Sequence, residues 1–187
     1  MKRLLLFIVS SFWALSSMAQ IEHMRFMGIP LDGKISVFQK ELKKKGFEKN
    51  ELTKYLSQKM LSGTRIYKGI FADEIVDLIV YFDKDTKIVN RARVIIDCFS
   101  IEQVNEKFDK FVYNLKEKYD NSFIDDNLKD SMDKFGIGVP NSNRTRFVGY
   151  IFLEKDFVSF KDKYSVMLEY FDYGNYENTK DNVLEDL

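Results

Sequence analysis

The stretch from Thr64 to Cys98 constrains the fold most. It reads as three consecutive strands joined by short turns, with apolar side chains on alternate residues. In its middle, Val76, Leu78, Val80 and Phe82 share one face, while Ile75, Asp77, Ile79 and Tyr81 share the other, as a two-residue period requires. The first set is wholly apolar and belongs to the core. The second carries Asp77 and faces partial solvent or a second layer. Asp83-Lys84-Asp85-Thr86 supplies turn chemistry through carboxylates that accept from nearby backbone amides. In the strand that follows, Ala92, Val94, Ile96 and Cys98 point inward, and Arg91, Arg93, Ile95 and Asp97 form a mostly wet face.

A sheet with one apolar face needs a cover, and the spacing predicts one helix before the meander in sequence and one after it. Ile35, Phe38 and Leu42 recur at helical spacing, Lys43, Lys44 and Lys45 suit a carboxyl end, and Gly46 is a natural terminator. The lysine run balances the helix dipole rather than marking a polyanion site, since Glu41 and Glu48 flank it. Asn50 to Leu61 reads as a short helix through Leu52, Leu56 and Met60, with a strand through Tyr55 and Leu56 as the competing reading. Ser100, with Gln103 three residues on, opens the clearest helix, which runs to about Tyr119. Its stripe is Ile101, Val104, Phe108, Phe111, Val112, Leu115 and Tyr119, and Phe108, Phe111 and Leu115 are expected over Val76, Leu78, Val80 and Ile96. The opposite side mixes both charge signs, which favours packing on strands over lying on a membrane.

The first residues carry Lys2 and Arg3, an apolar run from Leu4 to Leu15, and small residues at Ser17 and Ala19, the pattern of a secretory signal over 1–19. The run is shorter than the ~20 residues a membrane-spanning helix needs; a retained amino-terminal anchor is the competing reading. Cleavage removes two of 29 basic residues and none of 29 acidic ones, a mature balance of −2. Such a chain has no whole-molecule attraction for nucleic acid or anionic lipid. Cys98 is the only cysteine and cannot pair within the molecule, so it reads as a small buried apolar residue with an inert thiol.

Asp120 to Asn143 shifts to Asp, Asn, Ser and Gly, and the expectation for 120–143 is a loop or insertion. Its acids, Asp120, Asp125, Asp126, Asp130 and Asp133, do not match an EF-hand loop. Strand patterning returns at Phe147 to Leu153, Phe157 to Phe160 and Tyr164 to Phe171, with Glu154-Lys155-Asp156 and Lys161-Asp162-Lys163 as turns. The expected organisation is therefore one α+β domain over 20–172 and a flexible tail over 173–187. Its fold class is an antiparallel sheet with helices packed on one face, arranged as two helix-plus-three-strand halves.

FMGIPLDG at Phe26 to Gly33, Gly46-Phe47 and YKGIFA at Tyr67 to Ala72 resemble segments of an uncharacterised family of small secreted proteins from Bacteroides-like bacteria. The resemblance covers roughly residues 20 to 119. It implies export to the periplasm or beyond and an α+β domain, and carries over no catalytic residue.

No catalytic, cofactor-binding or metal residue is assigned from sequence, and no cofactor. His23 is the only histidine and stands near the mature start, where it reads as an exposed terminal residue rather than a general base. The function that fits is a noncatalytic binding or interaction module of the cell envelope, with an envelope protein, a peptide or a glycan as partner. Tyr67, Tyr81, Tyr150 and Tyr170 are candidates for presenting a sheet face to it. Two other functions remain open: a carboxylate-dependent, glycosidase-like hydrolase, which needs no histidine or metal, and an envelope assembly partner that pairs through an exposed edge strand.

Overall fold

A computed structural model describes residues 22–50, 63–128, 131–158 and 163–175. The signal segment expected over 1–19, the short helix expected over 50–61 apart from Asn50, and the chain beyond 175 lie outside the described residues.

The chain opens with a small hairpin, β1 (Arg25–Phe26) and β2 (Ile29–Pro30), turned at Met27 and Gly28, both with positive φ. Helix α1 (Ile35–Lys44) and the short β3 (Glu48–Lys49) follow, then the meander β4 (Thr64–Phe71), β5 (Glu74–Phe82) and β6 (Val89–Cys98). Helix α2 (Ile101–Lys118) leads through a 3-10 turn at Asn121–Phe123 into a second meander, β7 (Lys134–Pro140), β8 (Phe147–Val158) and β9 (Lys163–Asp172). The main sheet has seven strands in the order β3-β4-β5-β6-β9-β8-β7. Leaving out β3, this order reads the same from either edge. Each half is a helix and a meander, and the last strands of the halves, β6 and β9, pair antiparallel at the centre from Arg91↔Phe171 to Cys98↔Tyr164.

The α+β class and the antiparallel sheet are as the periodicity predicts, but the strands of the second half differ. Residues 120–143 are not loop throughout, because β7 occupies Lys134–Pro140. KFGIGVP reads as loop because it holds two glycines and a proline, yet the glycines are what the strand requires. A Cβ on Gly136 would stand 1.8 Å from the Tyr150 hydroxyl, and one on Gly138 would stand 2.5 Å from the Phe147 ring. Nor is Glu154-Lys155-Asp156 a turn: β8 runs unbroken through it, paired with β9 at Lys155↔Val166 and Asp156↔Ser165. Lys155 turns its stem inward and its ammonium stands over the Phe108 ring, 2.8 Å from Asn105 Oδ1. A buried stem with a partnered head group suits a strand.

Both helices bury their stripes in one cluster with the inward residues of the sheet, among them Tyr67, Val76, Leu78, Val80, Ala92, Val94, Ile96, Ile137, Ile151, Leu153, Val166 and Leu168. Each buried Val, Leu or Ile side chain among them contributes about 1.5–3 kcal/mol. Helix α1 buries Ile35, Phe38 and Leu42; Gly46, at φ +84°, ends it where left-handed backbone favours glycine. In α2 the Ser100 hydroxyl accepts from Gln103 N, while Gln103 Oε1 accepts from Phe99 N, so the reciprocal cap closes one residue early. Val104, Phe108, Phe111 and Leu115 are buried, but Ile101 is exposed. Helix α2 lies closest to β6, β8 and β9, so that of the expected Val76, Leu78, Val80 and Ile96 it is Ile96 whose strand runs nearest to it, and it reaches β4 and β5 through Phe111 stacked on Phe71 and Lys107 paired with Glu74.

Candidate functional site

The face of the sheet away from the helices follows from register. Direct partners across antiparallel strands share a face, which sets Tyr81, Arg91, Phe171 and Tyr150 in one row across β5, β6, β9 and β8. The next row is Ile79, Arg93, Glu169 and Phe152, and the third is Asp77, Ile95, Met167 and Glu154, reaching Lys134 on β7. No helix among the described residues lies on this open face. Its middle is a depression of about 330 Å³ lined by Arg91, Arg93, Phe152, Met167, Glu169 and Phe171, with Tyr150 and Glu154 at its margin.

The depression is built around a buried carboxylate. Glu169 is 5% exposed; its Oε2 lies 2.7 Å from Arg93 Nε and 2.6 Å from Arg93 Nη2, and its Oε1 lies 3.0 Å from Arg91 Nη1. That last contact is close enough for an ion pair but off the line of a hydrogen bond, and Oε1 is buried without one. The Arg91 guanidinium stands 3.9 Å from the Tyr81 ring centre and 5.4 Å from that of Phe171. Cation–π contact therefore holds it in place from two sides. The trio carries one net positive charge, and the neighbouring Glu154 is offset by Lys134 at 2.8 Å.

One wall comes from the region that reads as acidic loop. Ile124 bridges to Ile137 and Asp125 N donates to Gly136 O, so this strap lies along the outer edge of β7. The Tyr150 hydroxyl donates to Asp125 Oδ2 at 2.7 Å, and Phe123 meets Phe147 edge to face. Burial and this hydrogen bond push the Tyr150 phenol well above its ordinary range, while the same bond and the Asn127 amide hold the Asp125 carboxyl below its own. The acids of 120–133 thus act largely as local caps: Asp120 accepts from Ser122 N, and Asp125 from Asn127 N. Asp130 lies outside the described residues. Among the described residues no group of three or more His, Cys, Asp or Glu sits together as metal ligands would.

Of the four tyrosines expected to present a face, the structure brings together Tyr81 and Tyr150. Tyr67 and Tyr170 point into the covered side, opposite Leu78 and Ala92. Cys98 is buried as expected, with its thiol pushed up by burial. Glu169 is the residue that the periodicity alone does not single out, and its signal is a lone acid inside the apolar run VMLEYF at a position sharing phase with Met167 and Phe171.

His23 is not an exposed terminal residue. Its side chain is 19% exposed, and its Nδ1 is 3.1 Å from both oxygens of Asp172, which is fully buried. Asp172 also accepts from Met24 N and Asn175 N, and Asn175 Nδ2 donates to Leu31 O, so the expected frayed tail is tied down as far as 175. The clasp borders a second, larger groove of about 1210 Å³ between the β1–β2 hairpin and residues 139–148. Here the carboxylate anchors the amino-terminal segment, whose Phe26 packs against Phe47, Phe71 and Tyr170.

No family model, curated protein or solved structure matches this chain. No helix among the described residues is long and apolar enough to cross a membrane.

Proposed function

We propose that the chain is a noncatalytic binding module exported to the cell envelope, in the periplasm or outside the cell, and that the open face of the sheet is its binding surface. The observation that carries this is the Arg91–Glu169–Arg93 cluster, set among Tyr81, Phe152 and Phe171 on a face that no described helix covers. A buried ion cluster of this kind is a weak source of stability compared with apolar residues of similar volume. Charged groups ringed by aromatics are characteristic of recognition surfaces, where arginine and aromatic anchors concentrate binding energy. Export rests on the amino-terminal pattern of 1–19 and on the family resemblance.

The two alternatives have less support. A glycosidase-like pair needs two carboxyl groups facing a cleft and free to act on the substrate, whereas the two that line the depression are each engaged in ion pairs, Glu169 with Arg91 and Arg93 and Glu154 with Lys134. Edge pairing needs a free strand edge, and that of β7 is partly taken by the strap at Ile124 and Asp125.

The test is capture of envelope components by the full mature chain, with peptide and glycan panels alongside. Ile79→Lys on the open face should abolish capture, and Val37→Lys on the exposed side of α1 should leave it unchanged. The reverse pattern would move the binding surface elsewhere.

A further inference from the structure

The depression has three unmet requirements, and together they describe a ligand. The first is charge. With Glu154 offset by Lys134, the trio of Arg91, Arg93 and Glu169 retains one positive charge, and Arg91 makes no side-chain hydrogen bond among the described residues that would use up its N–H donors. An anion is favoured there, and a planar carboxylate matches the guanidinium fork. The second is a donor. Glu169 Oε1 is held by charge alone, 3.0 Å from Arg91 Nη1 and without a hydrogen bond, so an aligned N–H would satisfy an acceptor that the fold leaves short. The third is apolar contact, since Phe152, Met167 and Phe171 line the depression.

A carboxylate, an N–H donor on the adjacent atom and an apolar side chain on the same carbon occur together in the last residue of a peptide. A sugar acid offers the carboxylate, but its hydroxyls need several free polar partners. The other polar groups here are already engaged with one another: Tyr150 with Asp125, Arg93 with Glu169, Glu154 with Lys134. The volume of about 330 Å³ is at the small end of ligand pockets and suits a chain end rather than a folded surface.

We infer that this depression binds the carboxyl terminus of a peptide, with the free carboxylate on Arg91, the last amide N–H on Glu169 Oε1, and an apolar final side chain against Phe152 and Met167. The inference rests on the open face being the binding surface.

Fluorescence anisotropy with the full mature chain tests it, using labelled short peptides ending in Leu or Phe as the free acid or as the C-terminal amide. The free acid should bind at least about tenfold tighter, the worth of a charge-assisted hydrogen bond, and should weaken as salt rises. Arg91→Gln should remove the preference for acid over amide. Arg91→Lys, which keeps the charge but loses the fork, should retain part of it; this variant covers the case in which Arg91→Gln does not fold. Equal binding of acid and amide, a preference that survives Arg91→Gln, or binding of a uronic-acid oligosaccharide in place of the peptides would overturn the inference. If envelope capture still depends on Ile79 while the acid preference is absent, the ligand class alone fails. If neither depends on the open face, the binding reading fails with it.

Discussion

The two faces of one sheet are made by the same strands and differ in every other respect. The covered face is filled by Leu78, Val80, Val94, Ile96, Leu153, Val166 and Leu168, all 1% exposed or less. The open face carries Arg91, Arg93 and Glu169 in the same strands, one residue out of phase. Packing determines the first, because an apolar side chain there has one place to go. Pairing determines the second, because Glu169 is held there by two arginines and each arginine stands against the Tyr81 ring. The comparison teaches that stability and recognition can be assigned to opposite phases of a two-residue period, so a substitution reports on one or the other.

The largest effect should come from the covering layer. Phe111→Ala removes a buried ring that also stacks on Phe71, and denaturant melts should show a loss of about 3–5 kcal/mol. A loss below about 0.5 kcal/mol, as surface positions give, would place Phe111 outside the core. On the open face, Glu169→Ala leaves two arginines without their carboxylate. Breaking a fully buried pair costs about 3–5 kcal/mol. Because Arg91 and Arg93 are 27% and 30% exposed, solvent screens part of this cost, and about 2 kcal/mol is expected. Replacing all three with apolar residues of similar size should recover most of that loss in the same melts while abolishing binding. Recovery of stability together with binding would erase the distinction between the faces.

Smaller effects sharpen the boundary. Ser100→Ala removes the hydroxyl that accepts from Gln103 N at the start of α2 and should cost about 1 kcal/mol, read as a shift of the urea midpoint at constant slope. Ile75→Thr changes an open-face residue that is 69% exposed and should stay within about 0.5 kcal/mol of wild type. A larger loss at Ile75 would mean that another part of the chain covers this end of the open face.

Much of the covered face is legible in the sequence. Val76, Leu78 and Val80 keep one phase of the two-residue period wholly apolar while Asp77 marks the other, and Val104, Phe108, Phe111 and Leu115 recur at helical spacing. The open face is only half legible. Arg91 and Arg93 read as wet positions, but their partner Glu169 lies more than seventy residues on, and only the β6–β9 pairing makes them neighbours. The same holds for His23 and Asp172, separated by 149 positions. Strand β7 escapes for a different reason: its glycines mark close approach by Tyr150 and Phe147, not a break in the chain.

Period and capping are local, so the sequence by itself determined both helices, the first meander, their apolar sides and the α+β class. Tertiary structure alone decided that the two meanders join through β6 and β9, and with that junction came the Arg91–Glu169–Arg93 cluster and the depression around it. The physical reason is that a charge on a strand is only a wet residue until register sets a partner opposite it, and register between distant strands is a property of the assembled sheet.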